Sequence, residues 1–182
     1  MITENDMIQK IKDDLYLTTK QKVMDKLPDN QNVLFIGKFR VPTIKHIKII
    51  ESMLKEYNKV VVCIVKAKKE NKLALPLDLQ TEMLKSIFGD DIYIITHSTG
   101  NITSIINKSP KRINYLVTGS DRTSSYESQL KRHKNLKIIN IKRDDDISST
   151  NLINNIQQNL NIDKLLHPRL LSFENTIKEY IL

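Results

Sequence analysis

Apolar and polar positions along the chain follow two alternating patterns. Continuous β-branched and aliphatic runs, such as 60–65, are typical of strands buried on both faces of a parallel sheet. Between these runs, apolar residues recur at helical spacing, as Ile47, Ile50, Met53 and Leu54 do. The pattern predicts strands at 32–36, 60–65, 92–95, 114–117 and 136–141. It predicts helices at 46–57, 77–88, 101–106, 126–132, 151–160 and 171–181.

The regular alternation of strands and helices indicates an α/β protein. Helices that connect successive strands make right-handed crossovers, and these build a doubly wound parallel sheet. We therefore predict a Rossmann-like fold of about five parallel strands in residues 31–182. Residues 1–30 are predicted to add an amphipathic N-terminal helix that ends in a turn at 28–30. Ligands of such sheets bind beyond the carboxyl ends of the strands, so the polar loops there are candidate sites.

Charge narrows the class of partner. The chain has 182 residues and a net charge of +8, which favours an anionic partner, either a phosphorylated metabolite or nucleic acid, although a solvated basic surface is an equal alternative. No stretch interleaves basic and aromatic residues as base-stacking surfaces do, so nucleic acid is the less favoured partner. The single cysteine, Cys63, falls inside an apolar run, where we expect a buried structural thiol.

Location is predicted from what the sequence does not contain. No apolar run approaches the roughly 20 residues that span a bilayer, so no membrane partner is expected. The polar, acidic start at 1–6 is unlike a secretory signal. We expect a cytoplasmic protein, in the host cytoplasm if the protein is viral.

The first candidate site follows the first predicted strand. Gly37 ends that strand and allows a nucleotide to approach the backbone. Thr43 and His46 are three residues apart at a helix start and so share one face. Helix N-termini favour phosphate, and an imidazole can donate to an α-phosphate oxygen. Lys38 and Lys45 add positive charge; the alternative is an ordinary strand–turn–helix with an exposed histidine.

A second candidate site follows the fourth predicted strand. Gly119 permits close contact with a ligand, and Asp121 can accept hydrogen bonds from ribose hydroxyls or an exocyclic amine. Arg122 can form a forked contact with phosphate. A Ser or Asp that merely caps the following helix is the structural alternative.

A third candidate site lies at 147–150. Ser148, Ser149 and Thr150 place three hydroxyls just before a helical pattern, and a second helix N-terminus beside the first would complete a triphosphate site. The alternative is that Ser149 simply caps the helix. Arg143, just upstream, is a further candidate cation.

The remaining basic and histidine side chains carry weaker signals. Lys66 and Lys68 follow the second predicted strand and are candidate cations, although a charged surface loop is equally consistent with them. His97, His133 and His167 lack partners at metal-ligand spacing, so we predict surface or loop positions for them and no metal held by the protein.

The three sites, in this order and at strand ends, resemble the nucleotidyltransferase superfamily. Its signature is Gly-Arg-Phe-x-Pro-x-(His or Thr)-x-Gly-His, and this chain has Gly37, Phe39, Thr43 and His46 in register. The variant Asn-Pro-Pro-Thr-x-Gly-His of phage-encoded members is the most similar, because Pro42 and Thr43 precede His46 at the same distance. Gly-Ser-Asp-Arg at 119–122 also resembles phage-type members, and Ile-Ser-Ser-Thr at 147–150 resembles the family motif Ile-Ser-Ser-Thr-x-x-Arg.

Several positions depart from the family pattern. Lys38 replaces an arginine, Val41 a proline and Lys45 the glycine before the histidine. Ile153 or Asn154 falls where the arginine of the third motif would be. These departures motivate an alternative in which the chain keeps a nucleotide pocket without turnover.

The resemblance implies transfer of a nucleoside monophosphate from a nucleoside triphosphate to a small phosphate-bearing acceptor, with release of pyrophosphate. ATP is favoured over CTP, and Mg²⁺ arrives with the nucleotide. Cytidylyl transfer, a nucleic-acid-binding role and a homo-oligomer stay open. The implied catalytic residues are His46, Thr43 and Lys38; the nucleotide-binding residues are Gly37, Phe39, Lys45, Gly119, Asp121, Arg122, Ser148, Ser149 and Thr150; and the acceptor-binding residues are Lys66 and Lys68.

Overall fold

A computed structural model describes residues 31–67, 73–119, 123–141 and 147–182. The predicted N-terminal helix in residues 1–30 lies outside these ranges. So do Lys68, Asp121, Arg122 and Arg143 among the candidate site residues.

Five parallel strands form one sheet in the order β3-β2-β1-β4-β5. The strands are β1 (Asn32–Gly37), β2 (Lys59–Val65), β3 (Ile92–His97), β4 (Tyr115–Gly119) and β5 (Lys137–Ile141). The chain runs outward from β1 to β3 on one side and then continues through β4 and β5 on the other. The strand order therefore reverses between β1 and β4, and this confirms the predicted doubly wound α/β fold.

Six helices and two 3-10 turns complete the described fold. The helices are α1 (Ile44–Glu56), α2 (Leu77–Phe88), α3 (Ile102–Lys108), α4 (Thr123–Leu130), α5 (Ser149–Gln157) and α6 (Glu174–Ile181), and the turns are Gly89–Asp91 and Pro168–Phe173. Every strand lies within two residues of its predicted bounds. The prediction for α1 started two residues late, because Thr43 is its N-cap. The single helix predicted at 171–181 is instead a 3-10 turn followed by α6.

The sheet has a hydrophobic core on each face. Val33 and Phe35 of β1 pack with residues of α1, α2, α5 and α6 on one face. Leu34 and Ile36 pack with residues of α3 and α4 on the other. This explains why β1 and β2 are continuous apolar runs without alternation. No helix in the described part of the chain is both long and apolar enough to cross a membrane.

Cys63 is fully buried in β2. Burial raises the pKa of its thiol to about 12. The thiol is therefore protonated at neutral pH and does not act as a nucleophile.

Candidate nucleotide-binding site

The candidate site lies where the strand order reverses, at the carboxyl end of β1. The loop after β1, residues 38–43, leads into α1 and also contacts the start of α5. Two helices therefore begin at this loop. In doubly wound sheets this edge is the usual place for a ligand.

Gly37 makes room for an aromatic ring of the protein itself. A Cβ atom on Gly37 would lie 2.7 Å from Cε2 of Phe39, closer than real Cβ contacts allow. Phe39 has a φ angle of 42°, a left-handed conformation that costs energy for a bulky residue. The Cβ direction of Gly37 therefore faces the Phe39 ring. The approach of a nucleotide to the Gly37 backbone stays a prediction.

The Phe39 ring connects the core to the catalytic candidate His46. It is only 2% exposed, so its side chain is part of the core. The ring packs edge-on against Phe35, with centroids 5.2 Å apart, and lies 4.9 Å from the His46 ring. Any contact of Phe39 with a nucleotide therefore has to use its backbone. The Phe39 ring packs against the imidazole of His46 and restricts its orientation.

Thr43 sets the orientation and the protonation of His46. The backbone N–H of Thr43 donates to Nδ1 of His46 at 3.0 Å, and the Thr43 hydroxyl lies 2.9 Å from the same nitrogen. An N–H can only donate, so Nδ1 is the unprotonated nitrogen and Nε2 carries the hydrogen. Thr43 itself is fully buried as the N-cap of α1. Its side chain thus acts on His46 and is not exposed to a ligand.

The imidazole of His46 is neutral at physiological pH. Burial, and secondarily the charge of Lys45, lowers the pKa of His46 to about 4. Among the residues that the structure describes, Nε2 has no hydrogen-bond partner. His46 is partly buried on the loop side of α1, not the exposed histidine of the alternative interpretation. The site therefore holds a neutral N–H donor ready for an acceptor oxygen.

The first backbone amide of α1 is already used inside the protein. The N–H of Ile44 donates to the carbonyl of Leu165 at 2.9 Å, and Ile47 N–H donates to the Thr43 carbonyl. The sequence predicts that amides at this helix start bind phosphate, and the Ile44 amide is not available for that. The two candidate cations beside it, Lys38 and Lys45, are partly exposed.

The start of α5 is joined to the loop after β1 by hydroxyl groups. The Ser149 hydroxyl donates to the carbonyl of Val41 at 2.7 Å and faces the Val41 N–H at 3.4 Å. Ser148, and not Ser149 as the alternative had it, is the N-cap, because its hydroxyl accepts from Asn151 N–H at 3.1 Å. The structure thus brings the first and third sequence motifs together.

Arg40 lies in the candidate site and is not among the residues that the sequence predicts for it. Its guanidinium Nη2 donates to the Thr150 hydroxyl at 2.6 Å, across 110 positions of sequence. The only local signal was a basic residue between Gly37 and Thr43, in a loop already assigned to phosphate binding.

Two other predicted site residues, Gly119 and Lys66, lie at the carboxyl ends of the two strands that flank β1. Gly119 ends β4, next to β1 in the sheet, and Lys66 is exposed after β2. The backbone N–H of Lys66 donates to the carbonyl of His97 at 2.8 Å, so the ends of β2 and β3 are joined. The His97 ring contacts the Thr99 carbonyl and the Ser104 hydroxyl at the same edge. Lys66 and His97 therefore lie at the carboxyl-end edge of the sheet, the same edge as the loop after β1.

No cluster of three or more His, Cys, Asp or Glu side chains able to hold a metal ion occurs within the described ranges. The groups around the loop after β1 are instead hydroxyls, amides, an imidazole and a guanidinium. This donor set suits an anionic ligand, since most of its members donate hydrogen bonds or carry positive charge.

Solved structures with the same fold come from adenylyltransferases. A protein assigned as a nicotinate-nucleotide adenylyltransferase from Vibrio parahaemolyticus has a TM-score of 0.60 at 14% identity, covering 82% of this chain and 94% of its own. The nicotinic acid mononucleotide adenylyltransferase of Plasmodium falciparum, complexed with APC, has a TM-score of 0.58 at 16% identity, covering 82% and 97%. At these identities the likeness establishes the fold.

A third structure carries bound ligands. The bifunctional NMN adenylyltransferase/ADP ribose pyrophosphatase of Francisella tularensis, complexed with AMP and a manganese ion, has a TM-score of 0.59 at 14% identity. The match covers 83% of this chain but spans only 51% of that protein. No protein with curated annotation matches the chain in sequence.

The sequence profile of the cytidylyltransferase-like family matches residues 34–155, more than half of the chain. The matched range begins in β1 and ends in α5, and it therefore includes His46 and Thr150. The chain belongs to the cytidylyltransferase-like family.

Proposed function

We propose that this chain is a nucleotidyltransferase that transfers AMP from ATP to a small phosphate-bearing acceptor and releases pyrophosphate. The observation that carries the proposal is the neutral His46 imidazole at the start of α1, because the loop that leads into this helix is also hydrogen-bonded to the start of α5. Family membership supports nucleotidyl transfer, and the adenylyltransferase names of the structural neighbours support AMP.

The reaction needs no general base. A phosphate monoester is already largely ionised at neutral pH, because its second pKa is about 6. One of its oxygens attacks the α-phosphorus, a new P–O bond forms, and the bond to the β-phosphate oxygen breaks with its electron pair leaving on pyrophosphate. Catalysis then depends on positioning and on stabilising the charge of the transferring group.

His46 is the proposed principal donor to that group. Its Nε2–H would bond a non-bridging α-phosphate oxygen and bond it more strongly as negative charge shifts during transfer. The Thr43 amide and hydroxyl at Nδ1, together with the Phe39 ring, hold the imidazole in one tautomer and one direction. Lys38 and Lys45 supply positive charge to the same loop.

The start of α5 is the proposed site of the leaving pyrophosphate. The amides of Ser149 and Thr150 are the first two of the helix, and in the described part of the chain neither has a partner. Ser148 supports them as the N-cap. Amides at a helix start, together with the helix dipole, favour an anion.

The remaining roles rest on the sequence motifs. Gly119, Asp121 and Arg122 are proposed to bind the nucleoside, and Lys66 and Lys68 the acceptor phosphate. Mg²⁺ is proposed to enter as part of the substrate, bound by the nucleotide's phosphates. The side chains and amides of the protein then bind the Mg²⁺–nucleotide complex without ligating the metal.

The deciding experiment measures pyrophosphate release with Mg²⁺ and either ATP or CTP, over a panel of phosphomonoester acceptors. We expect turnover with ATP and one acceptor, and a loss of about a hundredfold or more in kcat for His46→Ala. His133→Ala is the matched control, because His133 lies in the turn leading into β5, at the opposite edge of the sheet.

Other outcomes select the alternatives. Turnover with CTP alone would replace adenylyl by cytidylyl transfer. Tight nucleotide binding without pyrophosphate release from any pair would identify a nucleotide-binding protein without turnover, as the lysine at position 45 suggested. Equal rates for His46→Ala and the wild type would remove His46 from the mechanism.

A further inference from the structure

Arg40 is held in a fixed position at the start of α5. Its carbonyl accepts from the N–H of Leu75 at 3.0 Å, which anchors the backbone. Its guanidinium donates to Thr150 at 2.6 Å, which anchors the side chain. The neighbouring Val41 is bonded on both its N–H and its carbonyl side to the Ser149 hydroxyl. The cation therefore stays beside the first turn of α5.

This position is electrostatically unfavourable for a cation on its own. A helix N-terminus carries partial positive charge, so a guanidinium there is repelled and an anion is stabilised. Arg40 forms no ion pair with any carboxylate in the described ranges. A guanidinium has several N–H donors, and Thr150 takes one of them. The arrangement thus combines hydrogen-bond donors with positive charge, which favours binding of an anion.

Arg40, Ser149 and Thr150 together match a polyphosphate better than a single phosphate. The guanidinium can make two parallel hydrogen bonds to phosphate oxygens, and the two helix amides add separate donors. At the other side of the same loop, His46 offers one neutral donor. The negative charge of a triphosphate is concentrated on its terminal phosphates. These phosphates therefore match the start of α5, where Arg40 supplies positive charge.

We propose that Arg40 binds the β- and γ-phosphates of the nucleotide, and so makes the site select triphosphates and pyrophosphate over monophosphates. This inference rests on the proposed nucleotidyl transfer and adds a residue to it. The cation comes from the loop after β1 and reaches α5 through space, since residues 149–157 contain no Lys or Arg.

The test compares binding of Mg²⁺–ATP, inorganic pyrophosphate and AMP by calorimetry to the full-length wild type, Arg40→Ala and Arg40→Lys. We expect Arg40→Ala to weaken ATP and pyrophosphate by about ten- to a hundredfold, the usual range for a hydrogen bond to a charged group, with AMP changed less than about twofold. Arg40→Lys should recover only part of the loss, because an ammonium cannot fork.

Two further variants separate binding from structure. Thr150→Val removes the anchoring hydroxyl while keeping the guanidinium, and we expect a smaller loss for ATP than in Arg40→Ala. Arg169→Ala is the matched control: its guanidinium contacts the carbonyl of Ser86 near the end of α2, at the opposite edge of the sheet, and all three affinities should stay unchanged.

The outcomes distinguish this inference from the proposed function. If the wild type binds neither ATP nor pyrophosphate, the proposed function fails and this inference fails with it. If the wild type binds ATP and Arg40→Ala binds it equally well, the Arg40 assignment alone is wrong. Equal weakening of AMP and ATP in a folded Arg40→Ala protein would show a structural role and also overturn the assignment.

Discussion

The two helix starts that meet at the loop after β1 are built in opposite ways. At α1, the Ile44 amide is bonded to Leu165, and the partly buried His46 is kept neutral. At α5, the first two amides have no partner within the described residues, and a cation lies beside them. One end supplies a single oriented neutral donor, and the other supplies several donors with positive charge.

Under the proposed function, this difference lets the two helix starts act on different phosphates of one nucleotide. A neutral donor held rigidly is suited to the group whose charge changes during the reaction, because it need not reorganise. Fixed positive charge is suited to the group that leaves with more charge than it brought. The starts of α1 and α5 should therefore respond to different mutations.

Gly37→Ala should have the largest effect of these variants, and the effect should fall on His46 at the start of α1. The new Cβ would lie 2.7 Å from Cε2 and 3.0 Å from Cζ of Phe39, so the buried ring must shift and His46 must move with it. We expect a loss of about 1–3 kcal/mol in the free energy of unfolding, as for overpacked cores, measured by urea denaturation. Transferase activity should fall more than ATP binding, since the α5 end is untouched.

Gly100→Ala is the control for that variant. A Cβ there would lie 3.5 Å from the Tyr126 hydroxyl, an ordinary contact, so stability and activity should stay near the wild-type values. Wild-type stability in Gly37→Ala would show that the Phe39 ring is free to move, and the account of how His46 is positioned would be wrong.

Ser149→Ala should affect the start of α5 without affecting His46 at the start of α1. The variant loses the bond to the Val41 carbonyl, and we expect about 1 kcal/mol less stability by thermal denaturation, the usual value of one hydrogen bond. KM for ATP should rise more than kcat falls, because the start of α5 loosens while His46 keeps its contacts. Ser52→Ala, which removes an exposed hydroxyl bonded within α1, is the control. A purely kcat effect would contradict the proposed division.

Acidification should weaken the α1 end through His46. The folded-state pKa of His46 is about 4, below its usual 6.5, so the unfolded chain binds the proton first as the pH falls. Stability supplied by neutral His46 is complete above about pH 6.5 and declines towards pH 4. We expect the stability difference between pH 7 and about pH 5 to shrink in His46→Gln, measured by denaturant titration.

The pH experiment needs one control for a second histidine. Burial also lowers the pKa of His167, which therefore contributes in the same direction. His167→Gln should remove the contribution of His167 to the pH dependence of stability and leave the contribution of His46. If His46→Gln keeps the full wild-type pH dependence, the neutral imidazole of the folded state is not the source.

Much of the fold could be predicted from the sequence because it depends on local pattern. The central strands are buried on both faces, so β1 and β2 appear as unbroken apolar runs. The predicted start of α1 is two residues late because the helical spacing of apolar residues begins only at Ile47, after the N-cap Thr43 and the first turn. The end of the chain was misread because a 3-10 turn carries apolar residues at nearly helical spacing.

The candidate site was predictable in its parts and less so in its arrangement. The motif spacing located Thr43, His46 and the hydroxyls at 148–150. The left-handed backbone of Phe39 leaves no mark in a periodicity, so the packing of the Phe39 ring against Gly37 could not be predicted. The Arg40–Thr150 contact depends on the loop after β1 meeting the start of α5 in space, which the order of motifs along the chain does not show.

The hydrogen bonds between the loop after β1 and α5 join residues 108 and 110 positions apart in the sequence. Contacts so distant in sequence raise the loop-closure cost of folding. A chain still emerging from the ribosome would contain the loop long before it contains α5. Under the proposed function, nucleotide binding therefore needs both segments to have been synthesised, and a bound nucleotide would stabilise the folded protein relative to the unfolded chain.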